Sequence, residues 1–408
     1  PPDAAAALQR FTAAGGDYVT ALPADRRWSL IIDGLFGIGL ARAPDGIYGE
    51  LIDAANALAQ RDGCPLLALD CPSGLDADRG PAFAPCIRAS HTISFIGAKP
   101  GLLTGDGPEH CGELRVASLE LAPTPEFPAD GRRIGRGDFT EFLRPRALNS
   151  HKGSYGSAGI LGGADSMVGA AFLAGRAALK LGAGRVYLGL LAALPPACDF
   201  AQPELMLRCP EAMLAADLTA LACGPGLGTN GEAGALLATV IASPLPLLLD
   251  ADALNLVAGD AGLQRALASR DHPAVLTPHP AEAARLLSST TAAVQADRIA
   301  AAQETAARYR CHVALKGCGT VVAAVDGCWW VNTSGTPGLA SAGPGDVLRG
   351  LIVALLAQGW PAIQALQAAA ADRLVGAGIG PIGLAAGELI DAARSLFNAW
   401  VAEGSSAA

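Results

Sequence analysis

Residues 332–359 read NTSGTPGLASAGPGDVLRGLIVALLAQG, and this stretch decides the fold. In its second half Val347, Leu348, Leu351, Ile352, Leu355 and Leu356 recur at the spacing of one helix face. Gly359 and Pro361 are stop signals for that helix. Before it stand Gly343, Pro344 and Gly345, with Asp346 at the helix start. A helix start offers unpaired backbone N–H groups and partial positive charge, which suits a phosphate. Glycines let the main chain approach an anion closely. An aspartate there can act as a base beside a phosphoryl group in transfer. It can equally be an ordinary N-cap. The long glycine-bearing approach from Gly335 favours the anion site, because a simple cap needs no such run.

Outward from this stretch, short apolar runs alternate with helical patterns. WSLIID (28–33), PLLALD (65–70) and HTISFIG (91–97) read as buried strands, with a helical pattern, YGELIDAANALAQR, between the first two. AGILGG, RVYLGLL, LTALACG, LPLLLDAD, AVLTP and HVALKG repeat the pattern further on, with the helix-like VGAAFLAGRAALKLGAG between the first pair. Such alternation predicts an α/β chain with parallel sheets covered by helices. TVVAAV and CWWVN flank Asp326-Gly327, a hairpin signal, and predict an antiparallel pair towards a sheet edge. The Pro-, Gly- and charge-rich segment LAPTPEFPADGRRIGRGDF separates two domains. We place a first domain at 1–125, a linker at 126–134 and a second domain at 135–408.

At 408 residues, two cores are the expectation. Hydrophobic residues make up 51% and charged residues 16%, the reverse of a disordered chain. The net charge of -9 comes without a basic stripe, so nucleic acid is not an expected partner. No apolar run is long enough for a membrane helix, and no signal peptide is evident. None of the ten cysteines forms a two-residue-gap pair, so reduced core cysteines of a cytoplasmic protein are expected.

The 332–359 stretch resembles the Gly-Thr-Gly-Asp region of ribokinase-like enzymes, in the form found in the NAD(P)H-hydrate dehydratase family. HKGSYGSAGILGGADSMVGAAFLAGRAALKLGAGRV (151–186), ACGPGLG (222–228), LLLDADALN (247–255), LTPHPAEAARLL (276–287) and ALKGCGTVVA (314–323) follow that family's order. The resemblance implies a ribokinase-like second domain with Asp346 as catalytic base. It implies an anion hole at Gly343 and Gly345. Lys316, Gly317, Cys318, Gly319 and Thr320, with Gly345, would bind adenine nucleotide. Ala170, Gly226 and His279, with Asp346, would contact the hydrated dinucleotide. Taken singly, Ala170 reads as helix packing, the glycines of GPGLG as a turn, His279 as a loop residue, Lys316 as a solvated strand end, and Asp250 and Asp252 as turn residues. Pro344 stands where the family usually has Thr, and proline brings no N–H to an anion hole. Ala281 and Ala342 stand where it often has Gly.

In the first domain, IIDGLFGIGLARAP (31–44) and LALDCPSGLDADRG (67–80) each put an aspartate at a strand's C-terminal end, the ligand edge of an open α/β sheet. With SFIGAKPGLLTGDGPEHCGELRV (94–116), they resemble the Rossmann-like NAD(P)H-hydrate epimerase domain. The resemblance implies a potassium ion at Asp33 and Ser73. Gly37, Ile38, Gly39, Leu40, Ala41, Arg42 and Ala43, together with Asp70, would hold the hydrated dinucleotide. The family's Asn-Asn-Gly-Gly-Asp stretch has no counterpart in the 408 residues, so this domain looks truncated and its epimerase activity is expected to be absent or weak.

The implied reaction is ADP-dependent dehydration of (6S)-NAD(P)H hydrate, giving NAD(P)H, AMP and phosphate, with Mg2+ assisting. Expected partners are NAD(P)H hydrate and adenine nucleotide, with no nucleic acid and no membrane, in a homo-oligomer. Two other readings stand beside it. One is a ribokinase-like alcohol kinase, such as a hydroxymethylpyrimidine or hydroxyethylthiazole kinase; the other is a nucleotide-binding module without catalysis.

Overall fold

The computed structural model describes residues 2–121, 124, 128–372 and 382–406. The chain divides into two compact units, Pro1–Leu102 with Asp106–Ala122, and Leu103–Gly105 with Pro123–Ala408.

The first unit holds four parallel strands in chain order: β1 (Ile31–Asp33), β2 (Leu66–Leu69), β3 (His91–Phe95) and β4 (Glu113–Ala117). The helix Gly46–Asp62 links β1 to β2 and ends at Gly63, whose φ of 64° suits a residue without a Cβ. It buries Ile52, Ala55 and Leu58 at helical spacing, and Ile52 and Ala55 pack with Leu66 and Ala68.

The second unit is built on one ten-stranded sheet. Its strands are β5 (Arg132–Arg133), β6 (Ser157–Gly162), β7 (Arg185–Leu190), β8 (Met206–Arg208), β9 (Ala220–Cys223) and β10 (Leu247–Leu249). β11 (Ala274–Leu276), β12 (His312–Leu315), β13 (Thr320–Ala323) and β14 (Trp329–Asn332) complete it. The order is β5-β14-β13-β12-β11-β10-β9-β6-β7-β8. From β12 to β8 every pairing is parallel, while β12–β13 and β13–β14 are antiparallel. The Asp326-Gly327 hairpin therefore forms, and β5 lies outside it, parallel to β14. β5 falls within the stretch expected to be a linker: Arg132 and Arg133 pair with Trp330 and Val331 as an edge strand, so the sheet begins inside 126–134.

Successive residues of these strands enter different cores. Ala158, Ile160, Leu248, Val275, Ala314 and Val322 join one cluster, and Leu161, Leu247, Leu249, Leu276, Val313 and Leu315 the other. This two-sided burial explains why the strands read as continuous apolar runs. The helix Pro344–Ala357 is buried at every residue from Val347 onward. Its Gly350 packs so tightly on the helix Val168–Lys180 that a Cβ there would overlap the Ala174 carbonyl. Among the described residues no two cysteines are disulfide-bonded, and no helix is long and apolar enough to cross a membrane.

β6 has β7 on one side and β9 on the other. The connections leaving β6 run one way and those leaving β9 the other, so a topological switch lies between them. The loops at the C-terminal ends of these strands bound the crevice where such folds bind ligands.

Candidate active site

The loops at that edge bring most of the second-domain candidates together. Gly343 is the N-cap of Pro344–Ala357, with a φ of 100° that a side chain would strain. A side chain there would also begin 2.7 Å from Ala386 Cβ and 3.0 Å from Leu173 Cδ1. Pro344 takes the first helical position, where an absent N–H costs nothing within the helix. Asp346 is the helix's third residue, and its backbone N–H donates to the Gly343 carbonyl. A Cβ on Gly345 would stand 3.9 Å from the Lys316 ammonium. The helix start and the β12 loop therefore converge at van der Waals distance.

Lys316 reaches both oxygens of Asp250, at 2.9 and 3.2 Å, and lies 3.9 Å from Glu282 Oε2. Asp250, at the end of β10, is only 1% exposed. Burial opposes its ionisation, but Lys316, Arg349 and the Ala251 N–H outweigh that and hold it below the ordinary carboxylate value. Glu282 goes the other way. Burial raises it, Lys316 and His279 oppose that, and neighbouring Asp250 adds to the rise.

His279 caps the helix Pro280–Leu287. Its Nδ1 accepts from Ala281 N–H at 3.1 Å, and its own N–H donates to Glu282 at 2.8 Å. The surface-loop alternative is thus half right, since the ring is nearly half exposed but sits in a reciprocal capping box. Gly226, with φ of 62°, packs against Met167, and the Ala170 N–H donates to the Met167 carbonyl. Ala170 and Gly226 therefore share one corner of the switch crevice. Asp252 accepts from the Gly228 N–H at 2.9 Å, tying the β9 loop to the β10 loop.

Besides Glu282, Arg349 and Arg298 have no place in the sequence reading. Arg349 pairs with Asp346 through Nη2 and lies 3.4 Å from Asp250 through Nε. Its signal is visible in retrospect: a charge inside an apolar helix, three residues from the aspartate. Arg298 is 1% exposed and donates to the carbonyls of Leu315 and Lys316 at 3.2 and 3.3 Å. A Cβ on Gly317 would come within 2.7 Å of its guanidinium, so the loop Lys316–Thr320 folds over it. Burial lowers this arginine to about 10.

In the first unit, Asp33 accepts from the Ser73 backbone N–H at 2.8 Å, the Ser73 hydroxyl at 2.7 Å and the Leu35 N–H at 3.2 Å. Burial raises its carboxyl despite those bonds. Asp70, with φ of 69°, pairs with Lys99, which the sequence reading did not single out. A Cβ on Gly37 would begin 3.4 Å from Asp70 Oδ2, so the exposed loop Gly37–Ala43 starts beside that carboxylate.

Comparison with known proteins identifies the family. A family model described as NAD(P)H-hydrate dehydratase matches residues 158–381, and one described as YjeF-related protein N-terminus matches 1–101. A bifunctional NAD(P)H-hydrate repair enzyme of Escherichia coli is 38% identical over 366 residues, covering 88% of this chain and 68% of its own. Its Vibrio cholerae counterpart is 36% identical, covering 98% and 81%. The ADP/ATP-dependent NAD(P)H-hydrate dehydratase of Bacillus subtilis, co-crystallised with ATP and Mg2+, is 29% identical. It aligns with a TM-score of 0.57 over 66% of this chain and 99% of that one. A ribokinase-like protein of Enterococcus faecalis, 24% identical, aligns with a TM-score of 0.57 over 66% of this chain and 96% of its own, which supports the fold. With both domain models matched in order and relatives of that identity spanning most of its length, the chain belongs to the bifunctional NAD(P)H-hydrate repair enzymes.

Proposed function

We propose that the second unit dehydrates (6S)-NAD(P)H hydrate at the expense of ADP. One observation carries the reading: the first turn of Pro344–Ala357, with Asp346 in it, meets Lys316 at Gly345. Asp346 accepts the proton of the ring hydroxyl, whose oxygen takes the terminal phosphoryl group as AMP departs. Amides at the helix start hold the negative charge that develops on that group. The phosphate ester is a far better leaving group than hydroxide, and its elimination restores the dihydropyridine. Lys316 draws the nucleotide phosphates to the loop Lys316–Thr320. Ala170, Gly226 and His279 hold the hydrated dinucleotide in the switch crevice.

No group of three or more His, Cys, Asp or Glu side chains among the described residues could hold a metal. A magnesium ion, if bound, would be carried on the nucleotide's phosphates and water, where it would neutralise the charge of the phosphoryl group being transferred. In the first unit, the Asp33 carboxylate and Ser73 hydroxyl form an oxygen pair suited to a potassium ion. Such an ion would neutralise a buried charge that burial disfavours. Gly37–Ala43 and Asp70 would then face the dinucleotide. We place the chain in the cytoplasm, as a homo-oligomer.

The test is direct. Purified chain, ADP and the S-form hydrate are mixed and the reduced-nicotinamide absorbance is followed, then again with ATP. Recovery of absorbance with equimolar AMP and phosphate is expected. A stable phosphorylated alcohol with no absorbance gain makes it a kinase, and nucleotide binding without turnover makes it a binding module.

A further inference from the structure

We propose that Arg349 is a positioning residue that clamps Asp346 in place by bracing it on Asp250. The inference rests on Asp346 being the base.

Arg349 follows Asp346 by three residues, on the same helix face. Its neighbours along the helix, Val347, Leu348, Leu351 and Ile352, are all buried and apolar. Its own side chain is 7% exposed. A guanidinium is costly to bury, and well-packed apolar residues usually serve stability as well or better. Packing alone therefore does not account for an arginine here.

Its contacts give the reason. Nη2 pairs with Asp346 Oδ1, while Nε lies 3.4 Å from Asp250 Oδ2. Asp250 is itself immobilised, by the Ala251 N–H at 2.7 Å and by Lys316. The position of Asp346 in the first helical turn is thus referenced to the end of β10, through one rigid planar fork. Neither Nε nor Nη1 makes a hydrogen bond, so the link to Asp250 is an ion pair and the guanidinium is not saturated by structural bonds.

The charges facing this pair come from several elements. They are Asp250 and Asp252 after β10, Glu282 on Pro280–Leu287 with its cap His279, and Lys316 after β12. On the helices packed against Pro344–Ala357, Arg176 pairs with Asp199, Glu388 caps the Ala385 N–H, and Asp391 lies near Arg394. Within the catalytic corner, Arg349 is therefore the cation that contacts Asp346. It aims that carboxylate at the incoming hydroxyl and sets a fixed positive charge beside it.

The test uses Arg349→Gln, Arg349→Lys, Asp346→Asn and the double variant Asp346→Asn/Arg349→Gln in the full chain, with the S-form hydrate and ADP. Turnover is measured against pH and against ADP concentration, with thermal melting as the folding control. Arg349→Gln should lower kcat about 10- to 100-fold and leave KM for ADP within about threefold, the signature of a lost transition-state arrangement. The acid limb of its kcat profile should move up by about one pH unit, because the carboxylate loses a cation. Arg349→Lys should recover part of the lost turnover. In the Asp346→Asn background, Arg349→Gln should cost nothing further, since the two act as one unit. An unmoved acid limb, or the same fold-loss in the Asp346→Asn background, overturns the inference. If Arg349→Gln does not fold, the turnover of Arg349→Lys decides: a lowered kcat with KM for ADP unchanged supports the clamp, because an ammonium cannot span both carboxylates as the guanidinium does, and a wild-type kcat overturns it. Wild-type turnover in Asp346→Asn sinks the proposed function and this inference with it. An inactive Asp346→Asn beside an Arg349→Gln of wild-type profile sinks the clamp alone.

Discussion

The Lys316 ammonium lies 2.9 Å from one oxygen of the Asp250 carboxylate and 3.2 Å from the other, joining the end of β12 to the end of β10. The pair gives a buried carboxylate its nearest cation and holds that cation where the helix start at Gly345 meets it.

Lys316→Met should therefore damage stability and binding together. Breaking a buried pair from one side typically costs about 3 kcal/mol or more, because the remaining charge stays buried. Urea unfolding should show a loss of that order, tempered by Arg349, and ADP should no longer raise the melting temperature. A variant that keeps full ADP protection removes Lys316 from the nucleotide site.

The depressed Asp250 carboxyl fixes the sign of an acid response. A group held below its unfolded value stabilises the protein above that unfolded value and loses the contribution as pH falls through its folded one. The stability difference between wild type and Asp250→Asn should be constant above about pH 5 and shrink below about pH 4, where unfolded aspartates titrate. Denaturant titrations from pH 7 to 3 measure it. A difference that grows on acidification contradicts the pairing.

Asp33 predicts the reverse sign. Its folded carboxyl is raised, so its favourable contribution exists below the unfolded value and disappears as pH rises through the folded one. At neutral pH the ionised group is a cost that a cation would relieve. Potassium should raise the melting temperature of wild type but not of Asp33→Asn, and Asp33→Asn should match or exceed wild type in potassium-free buffer. Equal potassium responses in the two argue against a cation at Asp33 and Ser73.

Gly350→Ala tests the helix contact beneath the site. Its Cβ would overlap the Ala174 carbonyl, so the helices Pro344–Ala357 and Val168–Lys180 must separate. Overpacking of this kind costs about 1–3 kcal/mol. Because Asp346 and Ala170 ride on those two helices, turnover should fall more steeply than stability. Chemical denaturation and single-turnover rates compare the two, and a drop in stability with unchanged turnover means the site tolerates the shift.

Arg298→Met should loosen the loop that folds over the guanidinium. The carbonyls of Leu315 and Lys316 lose their donor, and KM for ADP should rise about tenfold with kcat less affected, the pattern of lost uniform binding. Steady-state kinetics against ADP settle it. A pure kcat effect would move Arg298 into the chemical step.

Much of this was legible along the chain because the signals are local. Strands buried on both faces read as apolar runs, and the glycine loop before Asp346 announced a helix start. β5 and β8 were not legible: Arg132–Arg133 has no apolar residue, and the apolar stretch of Met206–Arg208 is too short to stand out as a strand. Arg349 and Glu282 were also missed. Each looks like an ordinary helix charge until its partners, far away in sequence, are known.

What the sequence by itself determined was the alternation of strand and helix, the glycine-framed Asp346 and the family to which the chain belongs. What only the tertiary structure decided was which charges meet. The order β12-β11-β10-β9-β6-β7-β8 leaves only β11 between β10 and β12, so Lys316 after β12 reaches Asp250 after β10 across it, beside a helix from far down the chain. Local patterning fixes where each strand lies but not its neighbours. The partners of a buried carboxylate follow from those neighbours, since a charge withdrawn from water must be met by whatever the sheet places within reach.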